Sequence, residues 1–167
     1  MSQPAILLRL LVESDASFIR KLVNTPEWIR FIGDRNVHSD DDALQYIRRI
    51  MSNPDYGYQV ITDQTVGKPM GVITLLQREN LPHPDLGFAM LPEFAGKDIA
   101  FRASKMVLES ILANSQYTHL MAITLEENQR SIRLLERLGF HLDGAKKWDD
   151  EKVQVYVLEL DELRRSS

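Results

Sequence analysis

Leu125–Phe140 reads LEENQRSIRLLERLGF. Just before it, Leu120-Met121-Ala122-Ile123-Thr124 is an apolar run of strand length. Asn128 marks a helix start, and a hydroxyl follows three residues later at Ser131. The segment then runs as an amphipathic helix and stops at Gly139-Phe140. The unit is strand, loop, short helix, glycine stop and return strand. Its loop and first helical turn offer an amide side chain and a hydroxyl to whatever binds beside the helix N-terminus.

Outward from this unit, the chain has the bulk properties of one folded domain spanning residues 1–167. It has 167 residues, 44% of them apolar, enough for a sizeable core. The net charge of −4 argues against a nucleic-acid partner, because phosphate binding wants a clustered basic patch. Cysteine is absent, which excludes disulfides, thiolate zinc sites and a cysteine nucleophile. The histidines at 38, 83, 119 and 141 lack metal-ligand spacing, so no metal is expected. Neither a basic leader nor an apolar run of membrane-spanning length is present, so the expectation is a cytoplasmic protein without a membrane partner.

The remaining elements follow from pattern and punctuation. Ile6–Leu11 reads as a strand and Ser14-Asp15 as a helix start. Thr25-Pro26-Glu27 begins a short helix carrying Trp28, Phe31 and Ile32 and ending at Gly33. Ser39-Asp40-Asp41-Asp42 caps a third helix; its acids suit the positive end of the helix dipole and do not converge on one ion. Tyr56–Thr62 and Met70–Leu76 form a hairpin, and Leu86–Leu91 is a further strand. Asp98–Asn114 is a long helix with Ala103, Met106, Val107, Ser110 and Ile111 toward the core. Phe140–Leu142 and Val153–Leu160 are strands joined by a turn-rich stretch, Gly144–Glu151, and residues 160–167 are a frayed tail. Alternating and hairpin-linked strands together imply an α/β (α+β) fold, a central mixed β-sheet flanked by helices on both faces.

This order resembles that of the GNAT superfamily of N-acetyltransferases, the acyl-CoA N-acyltransferase fold, over nearly the whole chain. Three segments carry the likeness: LLRLLVESDASFIRKLVNTPEWIRFIG, PDLGFAMLPEFAGK and NQRSIRLLERLGF. They look most similar to the branch of ribosomal-protein N-terminal acetyltransferases (RimJ/RimL-like). The resemblance implies transfer of acetyl from acetyl-CoA to a primary amine by direct attack. It implies that Phe88–Leu91 splay from Leu120–Thr124 to admit pantetheine, with a backbone N–H of Ala89, Met90 or Leu91 polarising the acetyl carbonyl. The loop Ala95-Gly96-Lys97-Asp98-Ile99-Ala100 would wrap the pyrophosphate. Asn128 would reach the pantetheine amides, and Ser131 would donate to the departing thiolate. Asp85 stands where many members carry a glutamate base; as a general base it would deprotonate the amine, and otherwise it caps a turn. His83 is a second base or acceptor-site candidate by its pKa, or an exposed loop residue. The tyrosine some members use as an acid is replaced by Leu135.

Two positions of the pyrophosphate loop depart from the pattern: its leading Gln or Arg is Ala95, and the second bears more on the chemistry. The central glycine of the pyrophosphate loop is Asp98, which places a carboxylate beside a dianionic ligand. In one reading Asp98 turns outward as a helix N-cap and pairs with Arg102, and acetyl-CoA still binds. In the other the donor site is degenerate and the domain is a non-catalytic binding module. On the acceptor side, Trp28 and Phe31 either line an amine pocket or pack in the core. The acceptor is a small-molecule or peptide amine, a longer acyl donor depends on the gap beside Met90 and Met121, and the chain is a candidate homodimer.

Overall fold

A computed structural model of the chain describes residues 3–166. Its strands are β1 (Ile6–Leu10), β2 (Tyr56–Asp63), β3 (Pro69–Leu76), β4 (Asp85–Met90), β5 (His119–Thr124), β6 (His141–Trp148) and β7 (Glu151–Glu159). Its helices are α1 (Ala16–Val23), α2 (Pro26–Phe31), α3 (Asp40–Met51), α4 (Ile99–Asn114), α5 (Gln129–Leu138) and α6 (Leu160–Ser166). The strands form one sheet in the order β1-β2-β3-β4-β5-β7-β6. Every neighbouring pair is antiparallel except β4 and β5. This is the mixed α/β sheet that the sequence implies.

The helices divide between two faces. Ile19, Leu22 and Val23 of α1, Trp28 of α2 and Ile47 of α3 pack with Val60, Val72 and Leu91. On the opposite face, Ile99, Ala103 and Val107 of α4 and Ile132, Leu135 and Leu138 of α5 pack with Ile73, Leu86 and Leu120. Strand alternation produces this division: in β4, Leu86, Phe88 and Met90 face α4, whereas Asp85, Gly87 and Ala89 face α1–α3.

The helix ends are closed as the sequence implies. Thr25 accepts from the Trp28 N–H, and Ser39 Oγ accepts from the Asp42 N–H. Asn128 Oδ1 accepts from the Ser131 N–H, and Gly139 ends α5 at φ +102°.

Three expectations are corrected. β6 runs eight residues to Trp148, well past Leu142, and Asp149-Asp150 at φ +47° and +67° form the whole two-residue turn to β7. β6 is an edge strand exposed along most of its length, so it lacks the apolar alternation that marks a half-buried strand. Residues 160–166 form α6 instead of fraying: Leu160 is fully buried, and Arg164 donates to the carbonyls of Leu112, Ser115 and Tyr117. Ser167 lies outside the described residues. In α4, Met106 and Ser110 face solvent, and Ile99, Ser104 and Leu108 join Ala103, Val107 and Ile111 in the interior.

Candidate active site

β4 and β5 meet at a single register pair, Asp85 opposite Met121, fixed by the Met121 N–H donating to the Pro84 carbonyl at 2.8 Å. Beyond that pair they part. The gap is continuous with a cleft of ≈1230 Å³. β4 contributes Phe88, Ala89 and Met90 to its walls, and the loop before α4 contributes Ala95, Gly96, Asp98, Ile99 and Ala100. Asn128 and Ser131 of the α5 start line it, as do Trp28 and Phe31 of α2 and Asp85 at the base of β4. The cleft thus brings together most of the residues singled out in the sequence. Leu91, Lys97 and His83 stand outside its lining.

Backbone direction in β4 is set by its pairing. The Leu91 N–H donates to the Met70 carbonyl at 2.9 Å, so it is already used and does not face the gap. In an antiparallel ladder alternate residues point to opposite sides. The N–H groups of Ala89 and Leu91 therefore turn toward β3, and those of Phe88 and Met90 turn toward the gap.

The far end of the cleft is the α4 N-terminus. The first α4 bond runs from the Arg102 N–H to the Asp98 carbonyl. The N–H groups of Ile99, Ala100 and Phe101 consequently have no carbonyl partner among the described residues. Gly96 sits at φ +75° with open space where a Cβ would be, so nothing shields the loop backbone. Asp98 occupies φ +66°, the left-handed region that glycine, asparagine and aspartate tolerate best. It stands at the N-cap position but makes no side-chain cap bond. Its expected partner, Arg102, donates to the Pro4 carbonyl instead. Asp98 pairs with Arg137 of α5 at 2.5 Å, and that guanidinium lies 3.8 Å from the Phe101 ring centre. Arg137, Arg130 and Arg133 line the cleft from one side of α5. Their i, i+3, i+7 spacing was the sequence signal for this basic edge.

The near end holds a buried carboxylate. Asp85 is 4% exposed and accepts from Arg78 Nε at 2.6 Å. Burial raises its pKa, and the charge and hydrogen bond of Arg78 oppose that rise without cancelling it. Arg78 also lies 5.3 Å from the Trp148 ring centre, so β6 covers the pair. Tyr58 and Thr74 line the same face of the sheet. Burial, then the neighbouring Tyr46, pushes the Tyr58 phenol up, so it stays a protonated donor. Asn128 has its Oδ1 committed to the cap, which leaves its amide N–H₂ for a ligand. Ser131 Oγ has no partner among the described residues. His83 stacks on His119 at 4.5 Å; burial and that second imidazole hold it below the usual value.

A parallel strand pair thus opens into a cleft with a free helix start at one end and a buried carboxylate at the other, and the family match makes the chain an acyltransferase. Residues 5–141 match the acetyltransferase (GNAT) domain, and the chain belongs to that family. It is 23% identical over 146 residues to the spermidine N(1)-acetyltransferase of Escherichia coli (strain K12), covering 86% of this chain and 76% of that protein. The ribosomal-protein-S5-alanine acetyltransferase of Vibrio fischeri shares its fold at TM-score 0.80 and 19% identity, with 97% of each chain covered. The spermidine N-acetyltransferase of Vibrio cholerae in complex with CoA and spermine superposes at TM-score 0.80 and 17% identity, covering 93% of this chain and 96% of that one.

Proposed function

We propose that this chain transfers acetyl from acetyl-CoA to a primary amine by direct attack, without a covalent acetyl-enzyme. The observation that carries the reading is the β4–β5 splay leading to the unbonded N–H groups of Ile99, Ala100 and Phe101. Those groups, with the exposed backbone at Gly96, suit a pyrophosphate at a helix start. Acetyl-CoA supplies the activated acyl carbon. The Phe88 or Met90 N–H is placed to polarise the acetyl carbonyl. Asp85 takes the proton of the attacking amine, and its raised pKa suits that work. The amine nitrogen bonds to the acyl carbon, the C–S bond breaks, and the Ser131 hydroxyl donates to the departing thiolate. Asp98 does not spoil the donor site in this reading, because Arg137 neutralises it.

The activities that the relatives are named for, on spermidine and on a ribosomal-protein alanine, support an amine acceptor of either small-molecule or protein N-terminal kind. Membership of the ribosomal-protein branch is part of the proposal, resting on the sequence likeness. The test is calorimetric titration of the purified chain with acetyl-CoA, followed by free-thiol release with a panel of amines. Micromolar binding with amine-dependent thiol release supports the transferase. Absence of binding, regained by Asp98→Gly, would identify a degenerate binding module instead.

A further inference from the structure

We propose that the amine accepted in this cleft also carries a carboxylate, and that Arg35 is the residue that selects it. The inference rests on the transferase reading above and narrows its substrate class. Arg35 is placed by the end of α2. The N–H groups of Ile32 and Gly33 both donate to the Trp28 carbonyl, at 2.8 and 2.9 Å, and Gly33 turns the chain back at φ +122°. The turn lays the Arg35 guanidinium 5.9 Å from the Trp28 ring centre. A Cβ on Gly33 would come within 3.3 Å of Arg35 Nη1, so the glycine also keeps that position open.

Arg35 lines the cleft and has no carboxylate partner among the described residues. Arg9, Arg48, Arg78 and Arg137, by contrast, each hold one. Its charge reaches the Tyr58 hydroxyl, as does that of Arg78, so both guanidiniums border one patch on the α1–α3 face. The sole carboxylate that β2, β3 and β4 bring to the cleft lining there is Asp85, already held by Arg78. Glu27, Glu127, Asp149 and Glu151 also line the cleft, but all are exposed, and Asp98 is held by Arg137. A second orphan lies beside Arg35: the Trp28 indole N–H is buried without an acceptor. Buried donors ordinarily have partners, and a ligand acceptor would supply one. A planar carboxylate matches the guanidinium fork. A polyamine would bring a further cation against Arg35, and like charges at such a site repel.

The test compares matched amines that differ by one carboxylate: lysine against 1,5-diaminopentane, and phenylalanine against 2-phenylethylamine. Acetyl-CoA-dependent thiol release is followed with each. The carboxylated member of at least one pair should have the higher kcat/KM, by about tenfold or more, as expected for a charge-assisted hydrogen bond. Arg35→Gln should erase that preference through KM, leaving kcat and the decarboxylated partner little changed. Arg35→Lys, which keeps charge but loses the fork, should fall between. Turnover that favours the decarboxylated amines, or a preference untouched by Arg35→Gln, overturns the carboxylate reading and leaves the transferase standing. No acetyl-CoA binding and no thiol release with any amine overturns both.

Discussion

The carboxylate of Asp98 and the guanidinium of Arg137 form an ion pair at 2.5 Å that joins the start of α4 to the last turn of α5. It changes the meaning of the residue that replaces the central glycine of the pyrophosphate loop. A lone carboxylate there would repel the ligand by on the order of 1 kcal/mol at a partly exposed site. Paired, it presents little net charge. Asp98→Gly should therefore alter acetyl-CoA affinity only slightly. Arg137→Gln should weaken it by about fivefold, the equivalent of roughly 1 kcal/mol. The double variant should recover most of that loss if the harm comes from the stranded carboxylate. Calorimetry on the four proteins makes the cycle; no recovery in the double variant would mean that Arg137 binds phosphate directly.

In the proposed mechanism Asp85 sets the pH dependence. Its carboxyl titrates above the ordinary value because burial outweighs Arg78. As the base, it must be ionised to accept a proton. The kcat/KM profile should thus rise with pH along a limb whose midpoint lies above about 3.9, the unperturbed aspartate value. Arg78→Gln removes the charge that lowers this pKa and should move the limb upward. Asp85→Asn should reduce kcat by roughly 10²–10⁴ and abolish the limb. Retention of the limb in Asp85→Asn would assign the base elsewhere.

Much of this arrangement was legible in the sequence because it is local. Caps at Thr25, Ser39 and Asn128 and the stop at Gly139 act within one helical turn, so residue type and spacing reveal them. The alternation of β2 to β4 gave the hairpin and the strand beside the gap. What was hidden is long-range. Arg137 is 39 residues from Asp98, and a local rule pointed to Arg102 instead. α6 is docked by Arg164 reaching carbonyls 47 to 52 residues away, which no terminal composition announces. The length of β6 beyond Leu142 escaped notice because an exposed edge strand has no buried face to impose a pattern. Arg35, in an irregular loop, carries no periodic signal at all.

Asp15 is the main acid-sensitive support outside the cleft. It is 4% exposed, accepts both Arg9 nitrogens at 2.7 and 2.9 Å, and accepts the Val12 N–H. Burial pushes its pKa up, but the Arg9 and Val12 hydrogen bonds and the Arg9 charge hold it below the usual value. Its contribution is therefore fully present above the unfolded value near 3.9 and is lost as pH falls through the folded one. Asp15→Asn should cost about 1–3 kcal/mol at neutral pH in urea unfolding, toward the low end because Arg9 is partly solvated. The variant should also lose less stability than the natural chain on acidification below about pH 4. Equal acid sensitivity in the two proteins would remove Asp15 from this role.

Gly87 tests how tightly the proposed acceptor face is built. It lies opposite Thr74 in the β3–β4 register, and a Cβ added there would meet Thr74 Oγ1 at 2.6 Å. The next atom, Thr74 Cβ, is 4.0 Å away, so the clash is with the hydroxyl alone. Thr74 is buried and β-branched, so its χ1 choices are few and turning the hydroxyl aside is costly. Gly87→Ala should then destabilise the fold by about 1–3 kcal/mol, as overpacking does. It should impair amine turnover more than acetyl-CoA binding, because Gly87 faces α1–α3 whereas the gap-facing N–H groups belong to Phe88 and Met90. Thr74→Ala removes the clashing oxygen and should restore most of the stability of Gly87→Ala when the two are combined. If the double variant is as unstable as the sum of the singles, the strain lies in the β4 backbone and not in this contact.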